Sequence, residues 1–143
     1  MKFFLGGIAF VALLVVTGYH FTLQGQEGKV TIKMYYFPIE AETLTPVTSA
    51  NIQERGRYCE IHSAKDTETI NSVLRGATKL SSQKFSDHRV RLKLIESSNA
   101  GDKLIAFVEK EGEVRFADGS EGTISPRGMK ALKNIINAQC KKE

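Results

Sequence analysis

The chain has 143 residues, 41% of them hydrophobic and 25% charged, and carries a formal net charge of +4. That length suits one domain, and so ordinary a composition excludes a low-complexity, collagen-like or disordered chain. A small positive surplus, interleaved with acids along most of the sequence, keeps a domain soluble and gives no electrostatic footprint for nucleic acid.

Met1-Lys2 puts one positive charge ahead of a run, Phe3 to Val16, that holds no charged or strongly polar residue. Signal-peptide apolar regions run about 7–15 residues and membrane-spanning helices about 20. The strict run fits the first, and tolerating Thr17 to His20 extends it to Phe21, close to the second. Val16 and Gly18 are small enough to flank a cleavage point before Tyr19, whereas Tyr19 and His20 suit a membrane interface. The preferred reading is a cleaved signal peptide over residues 1–18, with an N-terminal membrane anchor over 3–23 as the alternative. No cysteine lies near the leader, which excludes a lipoprotein anchor. A linker (19–28) and a single α+β domain (29–143) follow, expected in the periplasm or outside the cell, or tethered to the membrane by residues 3–23.

Val30, Ile32, Met34 and Tyr36 alternate with Thr31, Lys33, Tyr35 and Phe37, which predicts a strand ended by Pro38. An irregular excursion runs from Pro38 to Arg55, with Ser49 a candidate cap for one helical turn over Ala50 to Arg55 and Gly56 its stop. Arg57 to His62 reads as a second strand with Cys59 and Ile61 inward. Asp66 is the expected N-cap of a helix whose Ile70, Val73, Leu74 and Ala77 share a face and which Gly76 ends or weakens. Thr78 to Asp87 is polar and loop-like. Val90, Leu92 and Leu94 then alternate with Arg89, Arg91 and Lys93, a pattern with one buried and one wet face. Leu104 to Val108 is apolar on both sides, as in a central strand. A turn at Glu111-Gly112 leads to a short strand at Val114 and Phe116, closed by Asp118-Gly119. Ser125 caps the last helix, with Pro126 at its first position. The order β-β-α-β-β-β-α predicts an antiparallel sheet of about five strands with two helices packed on one face.

Cys59 shares a strand face with Ile61, and Cys140 follows Met129, Leu132 and Ile136 at helical spacing, so both sulfurs point toward the core. In an exported chain such a pair is expected to form a disulfide, closing a loop of about 80 residues worth about 4–5 kcal/mol of chain entropy.

No catalytic residues are expected. Cys59 has His62 three positions on, on the opposite strand face, and His88 elsewhere in the chain, so a cysteine nucleophile lacks a placed base. His20, His62 and His88 show no metal-ligand spacing, and no cofactor motif is present. Gly119-Ser120-Glu121-Gly122 reads as a turn rather than a phosphate cradle.

Two segments are candidate partner-binding surfaces. Arg89, Arg91 and Lys93, with Lys84 and His88 just before them, form a cationic row that is either a solvated face or a dock for an acidic protein or anionic envelope polymer. The stretch from Tyr35 to Glu54 combines outward aromatics, Tyr35 and Phe37, with a loop carrying Glu40, Glu42 and Glu54. Those aromatics are either free for recognition or covered by the loop itself. The resulting expectation is an exported binding module, of inhibitor or immunity type, acting in the cell envelope. A membrane-tethered accessory subunit and a hydrolase with an unrecognised site are the alternatives.

Overall fold

The computed structural model describes residues 29–82 and 84–141; the expected leader and linker over 1–28 lie outside the described residues. In chain order the elements are β1 (Thr31–Tyr36), α1 (Ile52–Arg55), β2 (Arg57–Ile61), α2 (Ala64–Arg75), β3 (Thr78–Lys79), β4 (Val90–Ser98), β5 (Gly101–Glu109), β6 (Glu113–Phe116), β7 (Glu121–Thr123) and α3 (Pro126–Ile135), the last continuing into a π-helical turn, Ile136–Cys140. The architecture is α+β with one open sheet of seven strands, ordered β2-β1-β4-β5-β6-β7-β3. Every neighbouring pair is antiparallel.

Two strands exceed the expected five, and both are short. β3 contributes two residues and β7 three, paired with each other at the sheet edge. Segments that brief are too short for an alternation of apolar residues to show. The stretch expected to be all loop, Thr78 to Asp87, thus begins with a strand, and Glu121-Gly122 belongs to β7 rather than to a turn alone.

One face of the sheet carries the main core. Ile32, Met34 and Tyr36 of β1, Leu92 and Leu94 of β4, and Ala106 and Val108 of β5 pack beneath Ile70 and Leu74 of α2 and Met129, Leu132 and Ile135 of α3. The helices approach closely because position 128 is glycine: a Cβ there would meet Val73 Cγ1 at 3.0 Å and Ile124 Cγ2 at 2.8 Å. Ser125 caps α3 as expected, its hydroxyl accepting from the Gly128 amide, with Pro126 following. α2 starts three residues earlier than expected. Its cap is Ser63, in extended backbone, whose Oγ accepts from the amide of Asp66. Asp66 sits inside the first turn, where a carboxylate favours the positive helix end, and accepts from Gln139 at 2.8 Å.

Cys59 and Cys140 are bonded, with Cα atoms 5.4 Å apart and a sequence separation of 81. The bridge ties the end of the π-helical turn to β2, the strand at one edge of the sheet. In the chain-entropy account a loop of this length contributes about 4 kcal/mol. Among the described residues no helix is long and apolar enough to cross a membrane.

Candidate functional site

The opposite face of the sheet is also covered, and the cover is the irregular segment between β1 and β2. Val47 and Ile52 from that segment join Phe85 and Val90 in a second apolar cluster, against which Tyr35, Phe37 and Phe107 pack. Val47 and Ile52 are fully buried. Val47 also bonds the sheet directly, accepting from the Val90 amide at 2.9 Å beside a parallel bridge to Arg89. The single helical turn exists, but Asn51, not Ser49, precedes it, and no side chain caps it. Ser49 is occupied elsewhere: its amide and hydroxyl donate to Asp87 at 2.7 and 2.9 Å.

Val90 was expected on the helix side with Leu92 and Leu94, and it lies on the other. The cause is a bulge. Val90 pairs with Glu109 and Leu92 with Val108, so Arg91 is an extra residue on β4. An inserted residue breaks the two-residue alternation and swaps the faces on either side of it. Val90 and Glu109 therefore enter the covered face, where the Glu109 carboxylate, 1% exposed, accepts from the amide and hydroxyl of Ser86.

The cationic row is accordingly not a solvated surface. Arg91 is 2% exposed. Its Nη1 donates to Val90 O at 3.0 Å and its Nη2 to Ala41 O at 2.9 Å, and its guanidinium lies 5.6 Å from the Phe37 ring centre. Burial pulls that guanidinium below the usual arginine value, with Glu42 opposing the shift. Lys93 is half-buried; its Nζ donates to Gln53 Oε1 at 2.8 Å and sits 5.9 Å from the rings of both Tyr35 and Phe107. Only Arg89 remains exposed, paired with Glu111 at 2.7 Å. His88 and Lys84 are exposed as well.

Register explains how Lys93 is held. Tyr58, Tyr35, Lys93, Phe107 and Arg115 are successive cross-strand partners and form one row across five strands. Aromatic rings alternate with cations along its second half, and Arg115 stacks 4.4 Å over Phe85 while donating to Ser49. A cation over a ring contributes about 0.5–2 kcal/mol, more as water is excluded. Tyr35 also accepts from Gln53 at 3.2 Å and packs 5.1 Å from Tyr58. Tyr35 and Phe37, the aromatics expected to face outward, are thus covered by the loop, whereas Tyr58 is about half exposed.

Glu40 and Glu42 belong to the loop's first half. Glu40 pairs with Lys133 of α3, and Glu42 with Lys110 at the end of β5. Those lysine hydrogen bonds hold both carboxylates below the usual range. Glu54 lies apart from these pairs, exposed on α1. The structure therefore brings Phe37, Glu40, Glu42, Arg89 and Arg91 to one end of the sheet and places Tyr35, Lys93 and Glu54 beneath or on α1.

Between Glu42 and Val47 the chain bulges into solvent, and Leu44 is fully exposed, at 108% of its reference area. Its flank is braced. Arg55 Nη1 donates to the carbonyls of Thr45 and Pro46 at 3.1 and 2.6 Å, and Asn51 Nδ2 donates to Pro46 O at 3.2 Å. Sequence reasoning passed over Leu44. The only available signal is a single large apolar residue in a polar stretch, with no partner at helical or strand spacing.

No protein-family model, no curated protein and no solved structure matches this chain. Among the described residues no group of three or more His, Cys, Asp or Glu side chains is arranged to hold a metal ion. His62 is exposed beside Glu60 and Thr31. Cys59 is locked in the disulfide, so it is not available as a nucleophile.

Proposed function

We propose that this chain is an exported binding module, of inhibitor or immunity type, that grips a partner protein in the cell envelope through the projecting segment around Leu44. The observation that carries this reading is the pairing of a wholly solvated leucine with a flank held by side-chain hydrogen bonds. Isolated exposed leucines are common on protein surfaces and by themselves need no explanation. A braced one is different, because a loop ordered before it binds loses less conformational entropy on association. Val47 and Ile52 anchor the loop's far side in the sheet, while Glu40 and Glu42 hold its near side against α3 and β5. The exported address rests on the apolar N-terminus, and the Cys59–Cys140 disulfide is compatible with an oxidising compartment.

Sealing a leucine side chain into a partner's pocket yields about 1.5–3 kcal/mol. Leu44→Ala is therefore expected to weaken recovery of an envelope partner at least tenfold while leaving the melting temperature unchanged. A partner captured equally well by wild type and Leu44→Asp would refute this mode of binding.

A further inference from the structure

A half-open hollow of about 440 Å³ lies where the chain leaves β1 and passes the end of α3. Its apolar wall is made by Phe37, Ile39 and Ile136, and its rim carries Arg57, Lys133 and Lys141. We infer that this hollow is a binding site for a free amphipathic monoanion, a single acidic head on an apolar body of small-molecule size.

The volume falls within the range of about 300–1,000 Å³ typical of small-molecule sites, whose walls are mostly apolar with a few placed polar groups. Charge chooses the sign of the ligand. Three cations face one acid, Glu40, which is already bonded to Lys133. Arg57 and Lys141 are exposed and make no ion pair among the described residues. The negative end of α3 lies nearby and would oppose an anion. Lys141 offsets it, and the Tyr36 hydroxyl donates to the last carbonyl of the π-helical turn, Cys140 O, at 3.3 Å. That turn supplies Ile136 and Asn137 to the hollow. π-helical turns are rare and recur at functional sites. The disulfide fixes this one to β2, the strand that presents Arg57. The wall and its charged rim are thus covalently held in register. A body without a charge leaves the cations unused, and an inorganic anion leaves the wall unused, so both features together select an amphiphile.

This inference does not depend on Leu44. The test is a titration of the isotope-labelled full chain, followed by amide shifts, with 3-phenylpropanoate, 3-phenylpropan-1-ol and inorganic phosphate as probes. The carboxylate is expected to give saturable shifts at Phe37, Ile39, Ile136 and Asn137, with at least tenfold weaker binding of the alcohol and no saturation by phosphate. Arg57→Gln and Lys141→Gln, both at exposed positions, are each expected to weaken carboxylate binding several-fold, and Leu44→Asp to leave it unchanged. Equal affinity for the alcohol, saturation by phosphate alone, indifference to both rim substitutions, or no saturable shift would each overturn the assignment. A short peptide ending in a free leucine carboxylate, if it bound at least tenfold more tightly than 3-phenylpropanoate, would also overturn it in favour of a chain terminus.

Discussion

The two faces of the same strands are held by different chemistry. Across the helix side runs a row of Cys59, Met34, Leu94 and Ala106, apolar throughout apart from its sulfur staple and sealed by α2 and α3. One residue along the same strands, the row is Tyr58, Tyr35, Lys93, Phe107 and Arg115, and a mostly irregular segment seals it. A helix satisfies its own backbone and needs only an apolar stripe to cover a sheet. An irregular segment does not, so its carbonyls call for donors from below and beside it, and Arg91 and Arg55 supply them at Ala41, Thr45 and Pro46. Among the described residues, a buried arginine and half-buried cations on one face, against an apolar row on the other, follow from the kind of lid each face received.

The contrast is sharpest in how each face responds to losing a side chain. Leu132→Ala, on the helix side, leaves a cavity in close-packed surroundings and is expected to lower global stability by about 3 kcal/mol in denaturant unfolding. A loss below about 1 kcal/mol would mean that the helix layer is loosely packed. Arg91→Met keeps the apolar stem and removes a desolvated charge along with its bond to Ala41 O. Replacing a buried ion by an apolar side chain of similar size is often close to neutral, so the expected cost is about 1 kcal/mol. A loss as large as that of Leu132→Ala would show the guanidinium to be the main fastening of the cover.

Acid provides the smallest perturbation. Glu40 and Glu42 titrate below their unfolded value, so their hold on the loop is complete above that value, at about pH 4.3, and is lost as pH falls through the lower folded values. Both groups are solvent-accessible, and the global fold should persist. The Leu44 methyl resonances are expected to shift and sharpen below pH 4 while those of Leu132 stay in place. Leu44 signals that move only together with Leu132 would show that the ion pairs do not control the loop.

The helix face was legible in the sequence because its rules are periodic. Ile32, Met34 and Tyr36 alternate as a strand should, Met129, Leu132 and Ile136 fall at helical spacing, and Cys59 and Cys140 point inward from those same patterns. The covered face was not. A bulge at Arg91 has no compositional mark, so the alternation continued on paper through a point where the faces exchange, and Val90 was assigned to the wrong layer. Arg91 then appeared in a row of solvated cations, although the loop that buries it was visible as a long excursion whose docking face no period betrays. The expected N-cap, Asp66, gives way to Ser63, which sequence reasoning passed over; both are good caps three residues apart, and only backbone geometry separates them. At the candidate site, Glu40 and Glu42 were read as one surface and Arg89 and Arg91 as another; the fold brings them into one neighbourhood at one end of the sheet. There Glu40, Glu42 and Arg89 pair with Lys133, Lys110 and Glu111, and Arg91 bonds the carbonyls of Val90 and Ala41. Leu44, fully exposed beside that neighbourhood, was invisible because isolated leucines carry no pattern.

Everything proposed for Leu44 requires the segment from Pro38 to Arg55 to be a docked layer of the fold rather than a tether. Native-state hydrogen exchange at the Val90 and Phe37 amides tests this directly, since the first donates to Val47 O inside the cover and the second to Arg91 O at its root. A docked cover predicts protection of Val90 approaching that of the β4–β5 ladder, at Leu94 for example. Fast exchange at Val90 beside a fully protected Leu94 would contradict it.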